Sequence, residues 1–165
     1  MEQYVTSLIG RYRNAGVLVD TNLLLLYFVG ICDRGQIERF RRTRDRFVAE
    51  DFETLMRVFK SFDTVVTTPH VLTDVSNLLG QLSGQTKTTC FGLFAQHISL
   101  MNEKHTPAKD LSNSPTFVKF GMADVSIEYA AQGYLVLTDD FPLSGYLSSK
   151  GLDVLNFNNI RTLRY

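Results

Sequence analysis

The 165-residue chain lacks a surplus of either charge: seventeen lysines and arginines balance seventeen aspartates and glutamates. Bulk charge therefore does not advertise a nucleic-acid partner, although carboxylates committed to divalent cations would leave the remaining surface basic. Cysteine is scarce. Cys32 and Cys90 lie far apart and form no Cys-x-x-Cys pair, so packed thiols in a reduced, cytoplasmic setting are expected. Long apolar runs are also missing. The greasiest stretch, Leu23 to Cys32, falls far short of the roughly 20 residues that cross a bilayer, and no membrane role is expected. Residues Met1 to Gly10 lack the basic-then-apolar layout of a signal peptide. His97 and His105 have no metal-ligand partner at useful spacing. No repeat, low-complexity tract or linker divides the chain, so residues 1–165 are expected to form one domain around one core.

What is present is a repeated strand-then-polar pattern. Val17-Leu-Val runs straight into Asp20-Thr21-Asn22, and a second apolar run of helical length starts at once. This reads as a buried strand followed by a buried helix. Val65-Val-Thr-Thr68 and Pro69 read as a strand closed by proline, then a helix with Val71, Val75, Leu78, Leu79 and Leu82 in one stripe and Asp74 inside it. A helix is expected over residues 86–102, and Glu103 to Pro115 reads as a loop. Asp124, Ile127 and Ala131 share a face of the next helix. Tyr134-Leu-Val-Leu-Thr138 is the clearest strand; it ends in Asp139-Asp140, and Pro142 starts a helix. Val154 to Phe157 makes the last strand. Residues 1–14 read as an amphipathic helix carrying Tyr4, Leu8 and Tyr12. Strands and helices alternate, so an α/β fold with a mainly parallel sheet and right-handed crossovers is expected.

Asp20, Asp74, Asp124 and Asp140 each follow a strand or sit in the first turns of a helix. Any one of them has an ordinary explanation as a helix cap or a surface charge. Four at one sheet edge imply a shared purpose, because packed carboxylates resist ionising unless a divalent cation compensates them. Oxygen-only ligands suit Mg²⁺ or Mn²⁺ and not zinc. A second cluster, Arg39, Arg41, Arg42, Arg44 and Arg46, could track phosphates; local ion pairs on a solvated face explain it equally well.

Taken in order, Val-Leu-Val-Asp20-Thr21-Asn22, Thr68-Pro-His-Val-Leu-Thr-Asp74, Ala123-Asp124-Val-Ser-Ile127 and Leu137-Thr138-Asp139-Asp140-Phe141 resemble the PIN-domain nucleases. The resemblance runs from about residue 15 onwards. It implies a Rossmann-like three-layer α/β/α sandwich and a metal-dependent endoribonuclease that acts on RNA, single-stranded or structured, without excluding DNA. The toxins of VapBC-type toxin–antitoxin pairs belong to this family, so an antitoxin protein and a homodimer are candidate partners. By position, Asp20, Asp74, Asp124 and Asp140 match the catalytic acids, with Asp139 as a neighbouring acid or further metal ligand. Thr21, Asn22 and Thr138 would orient ligands or water. Asp74 stands where the family usually has glutamate, and the stretch between Asp20 and Asp74 is longer than in compact toxin members. Two other readings compete. One is a catalytically silent PIN-like module that binds RNA or protein. The other is a haloacid-dehalogenase-like phosphatase, which needs a second acid where this chain has Asn22.

Overall fold

A computed structural model describes residues 2–162. The chain runs α1 (Glu2–Tyr12), β1 (Val17–Val19), α2 (Thr21–Cys32), a 3₁₀ turn (Arg34–Gln36), α3 (Arg41–Arg44) and α4 (Ala49–Phe59). It continues with β2 (Val65–Thr67), α5 (Pro69–Leu79), α6 (Gly84–Ile98), β3 (Asn102–Glu103), α7 (Ala108–Leu111) and α8 (Phe117–Ala130). The last elements are β4 (Leu135–Thr138), α9 (Phe141–Ser149), β5 (Val154–Asn156) and α10 (Phe157–Arg161). The five strands form one all-parallel sheet in the order β3-β2-β1-β4-β5, flanked by helices. This is an α/β fold, consistent with three layers. No helix among the described residues is long and apolar enough to cross a membrane.

The order fixes where a ligand would gather. The chain fills the sheet outward from β1 through β2 to β3, then returns to place β4 on β1's other side. The reversal between β1 and β4 is a topological switch point. Crevices in open α/β sheets form there, beyond the strands' carboxyl ends. Val19 pairs with Leu137, so Asp20 leaves the sheet beside Thr138, with the Asp139-Asp140 pair following at once.

The core explains why β1 and α2 are so apolar. Val17, Leu18 and Val19 are fully buried, as a central parallel strand requires. In α2, Leu23 to Leu26, Phe28 and Val29 are all buried, because the helix packs against α4, α5, α6 and β4 together. Gly30 permits the α4 approach: a Cβ there would lie 2.2 Å from the Phe52 ring.

Four expectations change. In α1 the buried residues are Val5 and Leu8, and Tyr4 is exposed. The helix expected over 86–102 ends at Ile98, and β3 follows. β3 is two exposed polar residues paired with β2 at the sheet's edge, which leaves no apolar alternation to read. The 103–115 loop contains the short helix α7. Asp74 lies outside the buried stripe: Val71, Val75 and Leu79 are buried and Asp74 is exposed, since one residue rotates the helix by about 100°.

Candidate functional site

Asp20 is the N-cap of α2 and is 3% exposed. Its Oδ1 accepts from the Leu23 amide at 3.0 Å, and its Oδ2 accepts from Thr138 Oγ1 and from the Asp139 amide at 3.2 Å. Burial, then the charge of Asp139, raise its carboxyl to about 7; the hydrogen bonds pull the other way and do not win. Thr138 links two acids, because the same Oγ1 that donates to Asp20 accepts from the Asp140 amide at 3.0 Å. Asp140 caps α9, accepting from the Leu143 amide at 2.7 Å.

Asp74 and Asp124 come from α5 and α8, which pack against each other. Gly121, at φ 78°, breaks α8 and starts a second helical segment just before Asp124. A side chain at Gly121 would be strained by that backbone, although space around it is open. Burial, then Asp140, then Asp74 raise the Asp124 carboxyl to about 6. Asp74 is exposed as a residue, but partial shielding of its carboxyl raises it, and His70, one turn before it, lowers it.

Asp20, Asp74, Asp124 and Asp140 line one cleft of about 410 Å³, together with Thr21, Asn22 and the Phe120–Ala123 segment. Asp139 does not line it. Its oxygens accept from Asn22 Nδ2 at 3.0 Å and pair with Arg46 at 2.8 Å. Asn22 and Thr138 thus act on neighbouring acids. Thr21 Oγ1 is buried without a hydrogen-bond partner among the described residues.

The arginines divide. Arg41, Arg42 and Arg46 line a groove of about 340 Å³ that shares Asn22 with the acidic cleft. Arg42 also donates to Gln81 at 2.8 Å. Arg44 pairs with its neighbour Asp45 at 3.4 Å, and Arg39 folds back over Gly35; neither lines the groove.

Other residues carry the site without a clear signal in the sequence. Asn158 donates to the Asp139 carbonyl at 2.7 Å and to Asn156 at 3.0 Å, bracing the loop after β4. Its one clue is that β5, like β4, ends in a polar residue. Ser126 shares a 2.7 Å hydrogen bond with Thr68, the N-cap of α5, and so ties α8 to the end of β2. Phe120 borders the cleft, and Phe141, next to Asp140, is 62% exposed.

The donor chemistry fits a hard divalent cation: four aspartates line one cleft, beside a buried Thr21 hydroxyl without a partner among the described residues, so every donor is oxygen. The geometry is open. Among the described residues no three histidine, cysteine, aspartate or glutamate side chains form a ready-made metal cluster. No family model matches the chain, and no curated protein matches it.

Proposed function

We propose that this chain is a PIN-like, Mg²⁺- or Mn²⁺-dependent nuclease that hydrolyses phosphodiester bonds in RNA. The observation that carries the reading is the convergence of Asp20, Asp74, Asp124 and Asp140, from four separate segments, on one cleft at the β1/β4 switch point. A structural role would not require acids whose burial and mutual repulsion raise their carboxyls. Polymer binding is supported by the arginine groove that meets the cleft at Asn22, and by Phe141, whose exposed ring can stack on an unpaired base.

In this mechanism Asp20, Asp124 and Asp140 would hold the cation, and Asp74 would hold a second ion or orient water. Such a cation would supply Lewis acidity, easing loss of a proton from water and offsetting phosphate charge. Thr138 and the Leu23 and Asp139 amides fix Asp20 before any ligand arrives. Arg41, Arg42 and Arg46 grip the flanking backbone. Water attacks in line with the departing 3′ oxygen, leaving a 5′-phosphate and a 3′-hydroxyl, so no histidine or serine nucleophile is needed.

The test is incubation of purified protein with mixed RNA and DNA in Mg²⁺, in Mn²⁺ and in EDTA. Cleavage of RNA that stops in EDTA is expected. Cleavage that persists in EDTA overturns the mechanism. RNA binding without cleavage under any condition favours the silent module, which the absence of a closed metal cluster among the described residues also suits.

A further inference from the structure

Away from the cleft, the chain's two cysteines meet. Cys32 is the last residue of α2 and half-buried; Cys90 lies within α6 and is fully buried. The two helices pack along each other. Cys32 Sγ donates to the Thr86 carbonyl at 3.7 Å, and Thr86 stands one turn before Cys90 on α6. Cys32 is therefore directed at the face of α6 that carries Cys90, one turn beyond the Thr86 carbonyl it touches. Sequence spacing gives no hint of this, because 57 residues separate them and the contact exists only through helix packing.

We propose that Cys32 and Cys90 are a thiol–disulfide exchange site, closing to a reversible intramolecular disulfide when a small-molecule disulfide is the oxidant. Their exposure sets the order of events. Cys32 can be reached, so its thiolate attacks the small disulfide, whose S–S bond breaks. One small thiol leaves, and a mixed disulfide remains on Cys32. Cys90 then loses its proton and its sulfur attacks the Cys32 sulfur. The Cys32–Cys90 bond forms and the second small thiol leaves with the proton. Two protein thiols are oxidised by two electrons, and the small disulfide is reduced to two thiols. Burial, and then the neighbouring Cys32 thiol, push the Cys90 thiol up to about 12, which makes the second step the slow one. The product ties the far end of α2, the helix that Asp20 caps, to α6.

The experiment treats native protein with oxidised glutathione, quenches it, alkylates free thiols after denaturation and weighs the product. Expected is a monomer lighter by two hydrogens with no alkylatable thiol, a Cys32–Cys90 linked peptide on digestion, and full reversal by dithiothreitol. Cys90→Ser, or Cys90→Ala should the serine variant fail to fold, should stop at a stable glutathione adduct on Cys32. Cys32→Ser should leave Cys90 free. A wild-type protein that halts at the glutathione adduct, that links only between chains, or that keeps both thiols free overturns the proposal.

Discussion

On the sheet side of the cleft, Asp20 and Asp140 are held by hydrogen bonds before any ligand arrives. Asp20 accepts three and Asp140 caps a helix, and Thr138 joins them. On the helix side, the carboxylates of Asp74 and Asp124 accept no hydrogen bond from the described residues; Asp124 is neighboured by Asp140 and Asp74, and Asp74 by His70. One wall is positioned by hydrogen bonds to its carboxylates; the other is placed only by the packing of α5 against α8. A carboxylate fixed by backbone amides keeps its place when a ligand leaves, whereas a bare one is free to move onto a cation. The sheet wall sets position and the helix wall supplies uncompensated charge.

The largest effect expected is on chemistry. Asp20→Asn keeps the shape and still offers an oxygen to the Leu23 amide, but removes a negative ligand; RNA cleavage should fall to background while circular dichroism stays native. Cleavage that survives Asp20→Asn would remove the sheet wall from the mechanism. Next is binding. Reversing charge at Arg41 and Arg42 should weaken RNA binding by about tenfold or more, and should flatten the plot of log affinity against log salt by roughly 0.7 per lost single-strand phosphate contact. An unchanged slope would return these arginines to a solvated face.

The walls should respond with opposite signs to loss of a polar group. Thr138→Val deletes the hydroxyl that donates to Asp20 and accepts from the Asp140 amide, leaving both buried groups short of a partner. It should cost about 1–3 kcal/mol, measured by urea titration. Asp124→Asn should instead stabilise the metal-free protein. Its carboxyl titrates near 6 in the fold and at 3.8 ordinarily, so the native state holds the proton more tightly and ionisation weakens the fold. That penalty is absent below about pH 4, grows as pH rises through 6 and is complete above it. Removing it should add up to about 1 kcal/mol at pH 8, after screening of a partly exposed group, and nothing at pH 4. The same variant should lose most of the thermal stabilisation that Mn²⁺ gives the wild type. A variant less stable than wild type at pH 8 would contradict the picture of a charge-strained wall.

What the sequence disclosed follows the same division. β1 and β4 are apolar runs that stop abruptly at acids, and burial makes such runs conspicuous, so the sheet wall could be read. The helix wall was harder. Asp74 and Asp124 sit at the edges of apolar stripes, where helical periodicity cannot separate a cleft from solvent, and the break at Gly121 that sets where Asp124's helix begins leaves only a glycine as its sign. Asp139 and Asp140 are adjacent, and spacing alone cannot say which faces a ligand. The structure turns Asp139 towards Arg46 and leaves Asp140 on the cleft. β3 has no buried residue and so no hydrophobic pattern.

The smallest effect concerns Arg46, which joins the basic groove to the acidic wall. Its guanidinium is 49% exposed while the Asp139 carboxylate it pairs with is 7% exposed. A half-exposed pair is screened, so Arg46→Gln should change stability by less than about 1 kcal/mol. Its electrical consequence is clearer. Burial is the main reason that the Asp20 carboxyl is raised to about 7, and the charge of Asp139 is the next. With Arg46 gone, that charge loses its nearest cation and keeps only the Asn22 hydrogen bond. Asp20 should then titrate higher still, whereas Asp139→Asn should lower it by removing the repelling charge. Carboxyl-carbon NMR titration of Asp20 in the metal-free protein distinguishes the two variants. Equal midpoints in wild type, Arg46→Gln and Asp139→Asn would mean that burial alone raises Asp20, and that the arginine groove and the acidic cleft are neighbours without electrostatic coupling.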